Sequence, residues 1–179
     1  MRSRARSLFL LDWDNTLLPT NMLRVCRCLT ASGDVVKACP PPDMVRADLA
    51  ALEGHVCGLL DSIRQLPSAE VAIVTNASEG WVQTSSAKFL PRVADYIAEH
   101  NINVRSARTA TAEAVGGSPA EWKATVFTQE LAPLRWPVSL WAPHDAYDGA
   151  GSQAVRIISI GDSEYERTAA AAGLPGLQL

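Results

Sequence analysis

Asp12 and Asp14 stand one residue apart, directly after the unbroken apolar run Leu8-Phe9-Leu10-Leu11, and Thr16 follows two residues later. An apolar run of this length reads as a strand buried on both faces, which places Asp12 at its C-terminal tip. Ligands of open parallel α/β sheets bind in the crevice outside such strand ends. The chain must turn beyond the tip, so Asp14 can swing round beside Asp12. Two carboxylates held together there repel each other and are ordinarily relieved by a cation.

Three further segments repeat the pattern of an apolar stretch or helix start ending in a chemically competent residue. Val71-Ala72-Ile73-Val74-Thr75-Asn76 is a strand that ends in a hydroxyl and an amide. Glu121-Trp122-Lys123 puts a lysine near the start of a helix. Ile157-Ile158-Ser159-Ile160-Gly161-Asp162-Ser163-Glu164-Tyr165-Glu166 is a strand that ends in Gly-Asp with further acids behind it. In this order, the four segments resemble the four motifs of the haloacid dehalogenase-like (HAD) superfamily, and together they span almost the whole chain. The Asp-Trp-Asp start and the Thr-Asn-Ala-Ser-Glu-Gly-Trp stretch are similar to a eukaryotic microbial branch of that superfamily.

The resemblance implies a three-layer Rossmann-like fold and a Mg²⁺-dependent phosphohydrolase working through an aspartyl-phosphate. Asp12 is then the nucleophile, and Asp14 the general acid and base. Lys123 neutralises charge on phosphate and nucleophile. Thr75 and Asn76 hold phosphate oxygens. The implied metal ligands are the Asp12 carboxylate, the Asp14 backbone carbonyl and Asp162. An oxygen-only set of this kind favours Mg²⁺ over softer metals. Glu166 is implied as an outer group that orients metal-bound water, although Asp is commoner at that position and Glu164 is a rival. The implied partner is a phosphorylated small molecule or phosphoprotein. The alternatives are a catalytically inactive HAD-like binding module or assembly subunit, and phosphoryl transfer to an acceptor other than water. Dehalogenation fits less well, because it needs neither Asp14 nor Asp162.

Alternating strands and helices must position these groups, which predicts a mainly parallel sheet covered on both faces in one domain over 1–179. The expected strands are 71–75, 102–106 and 154–160, besides the run before Asp12. A helix is expected over 44–66, where Leu49, Leu52, Val56, Leu59, Leu60 and Ile63 recur at the three-and-four spacing of one buried stripe. Residues 79–100 read as helix with a break at Pro91. Ser118-Pro119-Ala120-Glu121 is a clear helix start: a capping serine, a proline at the first helical position, and a glutamate able to close a capping box. That helix is expected to reach 131, and a last one to cover 164–172, with Gly173 capping it. The stretch 17–43 reads as an irregular insert at the position where relatives carry a cap domain, too small to pack a core of its own. A loop is expected over 133–153. The sheet is expected to lack the usual final strand, which would leave 155–160 as an apolar edge able to self-associate.

Composition narrows the classes further. At 179 residues, 47% hydrophobic and 20% charged, the chain is that of an ordinary globular domain. A net charge of −3 makes no electrostatic case for nucleic acid or an anionic membrane. The basic start Met1-Arg2-Ser3-Arg4-Ala5-Arg6 reads as a solvated tail that leaves no room for a removable presequence before the first strand. The cysteines Cys26, Cys28, Cys39 and Cys57 lack the paired spacing of a zinc site, and His55, His100 and His144 do not complete one. Reduced thiols and a cytoplasmic location follow. Taken singly, Lys123 reads as a solvated helix lysine, Thr75-Asn76 as the start of a loop, and Asp162-Ser163 as a helix cap. Trp81, Trp122 and Phe127 read as core. It is the four matches in order that favour a site.

Overall fold

The computed structural model describes residues 6–30, 32–36, 41–131 and 155–173. Its elements run β1 (Arg6–Leu11), α1 (Thr20–Val25), α2 (Asp43–Gln65), β2 (Ala69–Ser78), α3 (Trp81–Phe89), α4 (Pro91–Glu99), β3 (Asn103–Arg108), α5 (Ala110–Val115), α6 (Pro119–Leu131), β4 (Val155–Ile160) and α7 (Glu164–Gly173). The four strands form one sheet in the order β3-β2-β1-β4, and every pairing is parallel. This is an α/β architecture with Rossmann-like layering.

The period-two alternation of β1 divides the core. Leu8 and Leu10 join Ala72, Val74, Val126, Phe127 and Ala169 on one face, under α6 and α7. Phe9 and Leu11 join Ile73, Leu49, Leu60 and Val93 on the other, under α2, α3 and α4. The helix stripe read from the sequence is the buried one: Leu49, Val56, Leu60 and Ile63 are all buried, with Leu52 and Leu59 packed beside them. Because the crossovers use opposite faces, the chain reverses its direction of travel between β1 and β4. In open α/β sheets the strand C-termini at such a reversal are where ligands bind.

Three local expectations are corrected. The insert is not irregular throughout: it contains α1 and an isolated antiparallel bridge, Leu29 to Val35. Leu17, Leu18, Leu23, Cys28 and Leu29 are buried in the main core, so the insert is packed as part of the domain. Helix α5 lies where no element was predicted. It is six residues long, too short for a periodic stripe, and its start is marked by the Thr109 hydroxyl accepting from the Ala112 amide at 3.0 Å. Strand β2 continues past Thr75 to Ser78. A bulge between Thr75 and Ser78 sets one extra β2 residue against β3. The break at Pro91 divides α3 from α4. The capping box of α6 is present, with Ser118 N donating to Glu121 Oε2 at 2.6 Å and Glu121 N donating to Ser118 Oγ at 3.3 Å. The loop 133–153, Cys39 and the segment after Gly173 lie outside the described residues. No helix of the described residues is long and apolar enough to cross a membrane.

Candidate active site

Strand register brings the first and fourth motifs together. Leu11 pairs with Ile160, and the Asp12 amide donates to the Ile160 carbonyl at 2.8 Å, so Gly161-Asp162 leaves the sheet beside Asp12. Asp12 itself is buried. Its Oδ1 accepts from Lys123 Nζ at 2.5 Å, and its Oδ2 accepts from the Thr16 hydroxyl at 3.2 Å.

Lys123 is only 1% exposed, so it is no solvated helix lysine. Helix α6 aims it across the sheet edge, where Nζ bridges Asp12 and Glu166. Glu166 is buried as well, and its Oε2 accepts from both the amide and the hydroxyl of Ser163, the latter at 2.5 Å. Of the two acids in competition, Glu166 is the one that joins Asp12 through Lys123. Glu164 pairs with Arg167 on the exposed face. In this arrangement Glu166 steers Lys123, whereas the sequence reading gave it the steering of metal-bound water. Its side chain lies across Gly161, where any Cβ would overlap Cγ and Cδ of Glu166. The glycine before Asp162 is needed for that passage.

The electrostatics of the trio follow from burial. Desolvation pushes the Asp12 carboxyl above its ordinary value. The charge and hydrogen bond of Lys123 offset this in part, while Glu166 and Asp14 add to the rise. Burial would push Glu166 the same way, but hydrogen bonds from Lys123 and Ser163, with the Lys123 charge, outweigh it and hold that carboxyl below its ordinary value.

Asp14 sits in the turn beyond β1. Asn15 takes a left-handed φ of 59°, a conformation that asparagine tolerates, and its side-chain oxygen accepts from the Asn21 amide at 2.8 Å. The Asp14 carboxylate accepts three hydrogen bonds: Thr20 Oγ1 to Oδ1 at 2.6 Å, Trp81 Nε1 to Oδ1 at 2.9 Å, and Thr75 Oγ1 to Oδ2 at 3.0 Å. Thr75 thus spends its proton on Asp14 and accepts from the Ala77 amide at 3.0 Å. The side-chain oxygen of Asn76 is buried without a hydrogen-bond partner. Asp14, Asn76 and Trp81 help line a cleft of about 1000 Å³ between the insert and α3, which Arg24, Lys88 and Arg108 also line.

Sequence reasoning missed Thr20, Trp81 and the tie that holds α3 in place. Trp13, between the two acids, is fully buried and donates through Nε1 to Ser85 Oγ at 3.0 Å. Ser85 in turn donates to the Trp81 carbonyl at 2.7 Å. The sequence pattern places Trp81 in the core, and its side chain does pack there in part. The missed signal was its place at the start of the helix that follows the second motif, hence at the same sheet edge as Asp14.

The donors implied for Mg²⁺ are all oxygens, as a hard cation requires. Asp162 is exposed beside Asp12, and the hydrogen bonds of the Asp14 turn go to the carbonyls of Trp13 and Leu18. Among the described residues no three His, Cys, Asp or Glu side chains group to hold a metal ion; the implied set asks for two carboxylates and one backbone carbonyl. The residues present fit it chemically. No protein-family model matches the chain, and no curated protein or solved structure matches it.

Proposed function

We propose that the protein is a HAD-like phosphohydrolase acting on a phosphate monoester through an aspartyl-phosphate on Asp12. The observation that carries this reading is the pair of carboxylates at the C-terminal tip of the central strand, held in two different environments. Asp12 is buried against the Lys123 ammonium, and Asp14 is orientated by three neutral donors. Environments that differ this much are how neighbouring carboxylates divide the roles of nucleophile and proton carrier.

In the first step an Asp12 oxygen attacks phosphorus. The bond from phosphorus to the ester oxygen breaks, and the leaving oxygen takes a proton from Asp14. Water then attacks the aspartyl-phosphate and gives its proton to Asp14. The phosphorus–Asp12 bond breaks, releasing inorganic phosphate. Lys123 compensates the negative charge that gathers around Asp12, in a buried site where that interaction is strong. Asn76, with its amide turned over, would offer an N–H in place of the unpaired oxygen and so hold a phosphate oxygen. Asp12, Asp162 and the Asp14 carbonyl would hold Mg²⁺, which would supply Lewis-acid screening of the phosphate.

The test is turnover of an aryl phosphate with and without Mg²⁺, joined to acid-quench trapping of labelled phosphate on the protein. Wild type is expected to be Mg²⁺-dependent and to trap label, and Asp12→Asn to do neither. Turnover that survives Asp12→Asn unchanged refutes the assignment. A folded wild type that neither turns over nor traps phosphate favours the inactive binding module instead.

A further inference from the structure

We infer that Trp81 and Thr20 are the positioning residues of Asp14, and that together they reserve Asp14 Oδ2 as the oxygen that carries the proton. This rests on the phosphohydrolase reading above and adds to it the device that aims its acid and base.

Each carboxylate oxygen can accept about two hydrogen bonds. Oδ1 accepts two, from the Thr20 hydroxyl at 2.6 Å and the Trp81 indole at 2.9 Å. Oδ2 accepts one among the described residues, from Thr75 at 3.0 Å. The remaining lone pair therefore belongs to Oδ2. The two Oδ1 donors come from opposite walls of the cleft: Thr20 opens α1 in the insert, and Trp81 opens α3. Held from both sides, the carboxylate cannot rotate to exchange its oxygens without losing both bonds.

An indole suits this task chemically. Its N–H donates only, so it can neither accept a proton from Asp14 nor compete for one as a histidine would. Its placement is over-determined. Gly80 takes a φ of 82° to start the helix, and the buried Trp13–Ser85 hydrogen bond fastens α3 to the residue between the two acids. Thr20 is likewise buried, so its hydroxyl is held and not rotating in water.

A positioned general acid matters most for poor leaving groups, since a good one departs without a proton. The test compares kcat/KM, which reports the phosphorylation half-reaction, for phenyl phosphate and 2,4-dinitrophenyl phosphate. The proteins are full-length wild type, Trp81→Phe, Thr20→Val and Thr20→Ser. Phenylalanine keeps the ring packing and removes the donor, valine keeps the volume, and serine restores the hydroxyl. The ratio of the two kcat/KM values is expected to fall about tenfold in Trp81→Phe and in Thr20→Val, part of the roughly 10²–10⁴-fold that a general acid supplies, and to recover in Thr20→Ser. Equal losses on both esters would mean a structural role and overturn the inference, as would no loss. A wild type that cleaves neither ester refutes the phosphohydrolase reading itself. Independently of turnover, the ¹⁵N indole resonance of Trp81 should move in Asp14→Asn. If it keeps its wild-type position, the hydrogen bond is absent and the inference fails.

Discussion

Replacing Lys123 by methionine isolates the energetics on which the site depends. Methionine keeps most of the stem volume and removes only the ammonium. What remains is two buried carboxylates, Asp12 and Glu166, with side chains each 7% exposed, facing a group that no longer answers their charge. One ion pair at 2.5 Å has a Coulomb energy of about 6–7 kcal/mol at an effective dielectric constant of about 20. Desolvation cancels part of that, and removing one partner of a buried pair costs about 3–5 kcal/mol in practice. Since Lys123 serves two acids, the loss at neutral pH should fall in the upper part of that range. It would shift the melting temperature by roughly 10–20 °C for a domain of this size. The loss should also depend on pH. Both acids become easier to protonate in the variant, and protonation removes the unpaired charge, so the deficit against wild type should narrow as the pH falls from 7 towards 4. Urea unfolding followed by tryptophan fluorescence measures this, with Trp13 fully buried and Trp81 and Trp122 partly so. A loss below about 1 kcal/mol, as for an exposed lysine, would refute the buried-trio account. A loss that does not change with pH would show that packing, and not charge, had been removed.

Two further outcomes follow from the same geometry. Asp14→Asn should keep Mg²⁺ affinity by titration calorimetry, because its backbone carbonyl is the proposed ligand, while losing most turnover. Asp162→Ala should lose the Mg²⁺ affinity, and equal losses in both variants would sink that division of roles. Ser85→Ala leaves the Trp13 indole N–H buried without its acceptor, and both side chains are fully buried. It should cost about 1–3 kcal/mol in urea unfolding, whereas an unchanged midpoint would show that the tie carries no energy.

The sheet and the polar residues at its strand ends were legible in the sequence, and the buried Lys123 contacts and the grip on Asp14 were not, for one physical reason. Strand identity is a local property. Leu8 to Leu11, Val71 to Val74 and Ile157 to Ile160 are apolar without interruption, and the residue that ends each run lies at the same edge once the strands pair in parallel. That alone sets Asp12, Thr75 and Gly161-Asp162 side by side. The capping box at Ser118 fixes where α6 begins, and so which turn of it carries Lys123. Burial is not local, however. Nothing in Glu121-Trp122-Lys123 states that the lysine is enclosed; it becomes so only because α6 and α7 pack against each other over the sheet and bring Glu166 to it. The same holds for Thr20 and Trp81. Each is an ordinary helix-start residue in its own segment, 6 and 67 positions from Asp14. They converge because the insert buries Leu17, Leu18 and Leu23 in the main core while Ser85 ties α3 to Trp13. Spacing therefore identified the polar groups that stand together at the strand ends. The groups that hold them are specified by packing between segments distant in the chain, which no local pattern records.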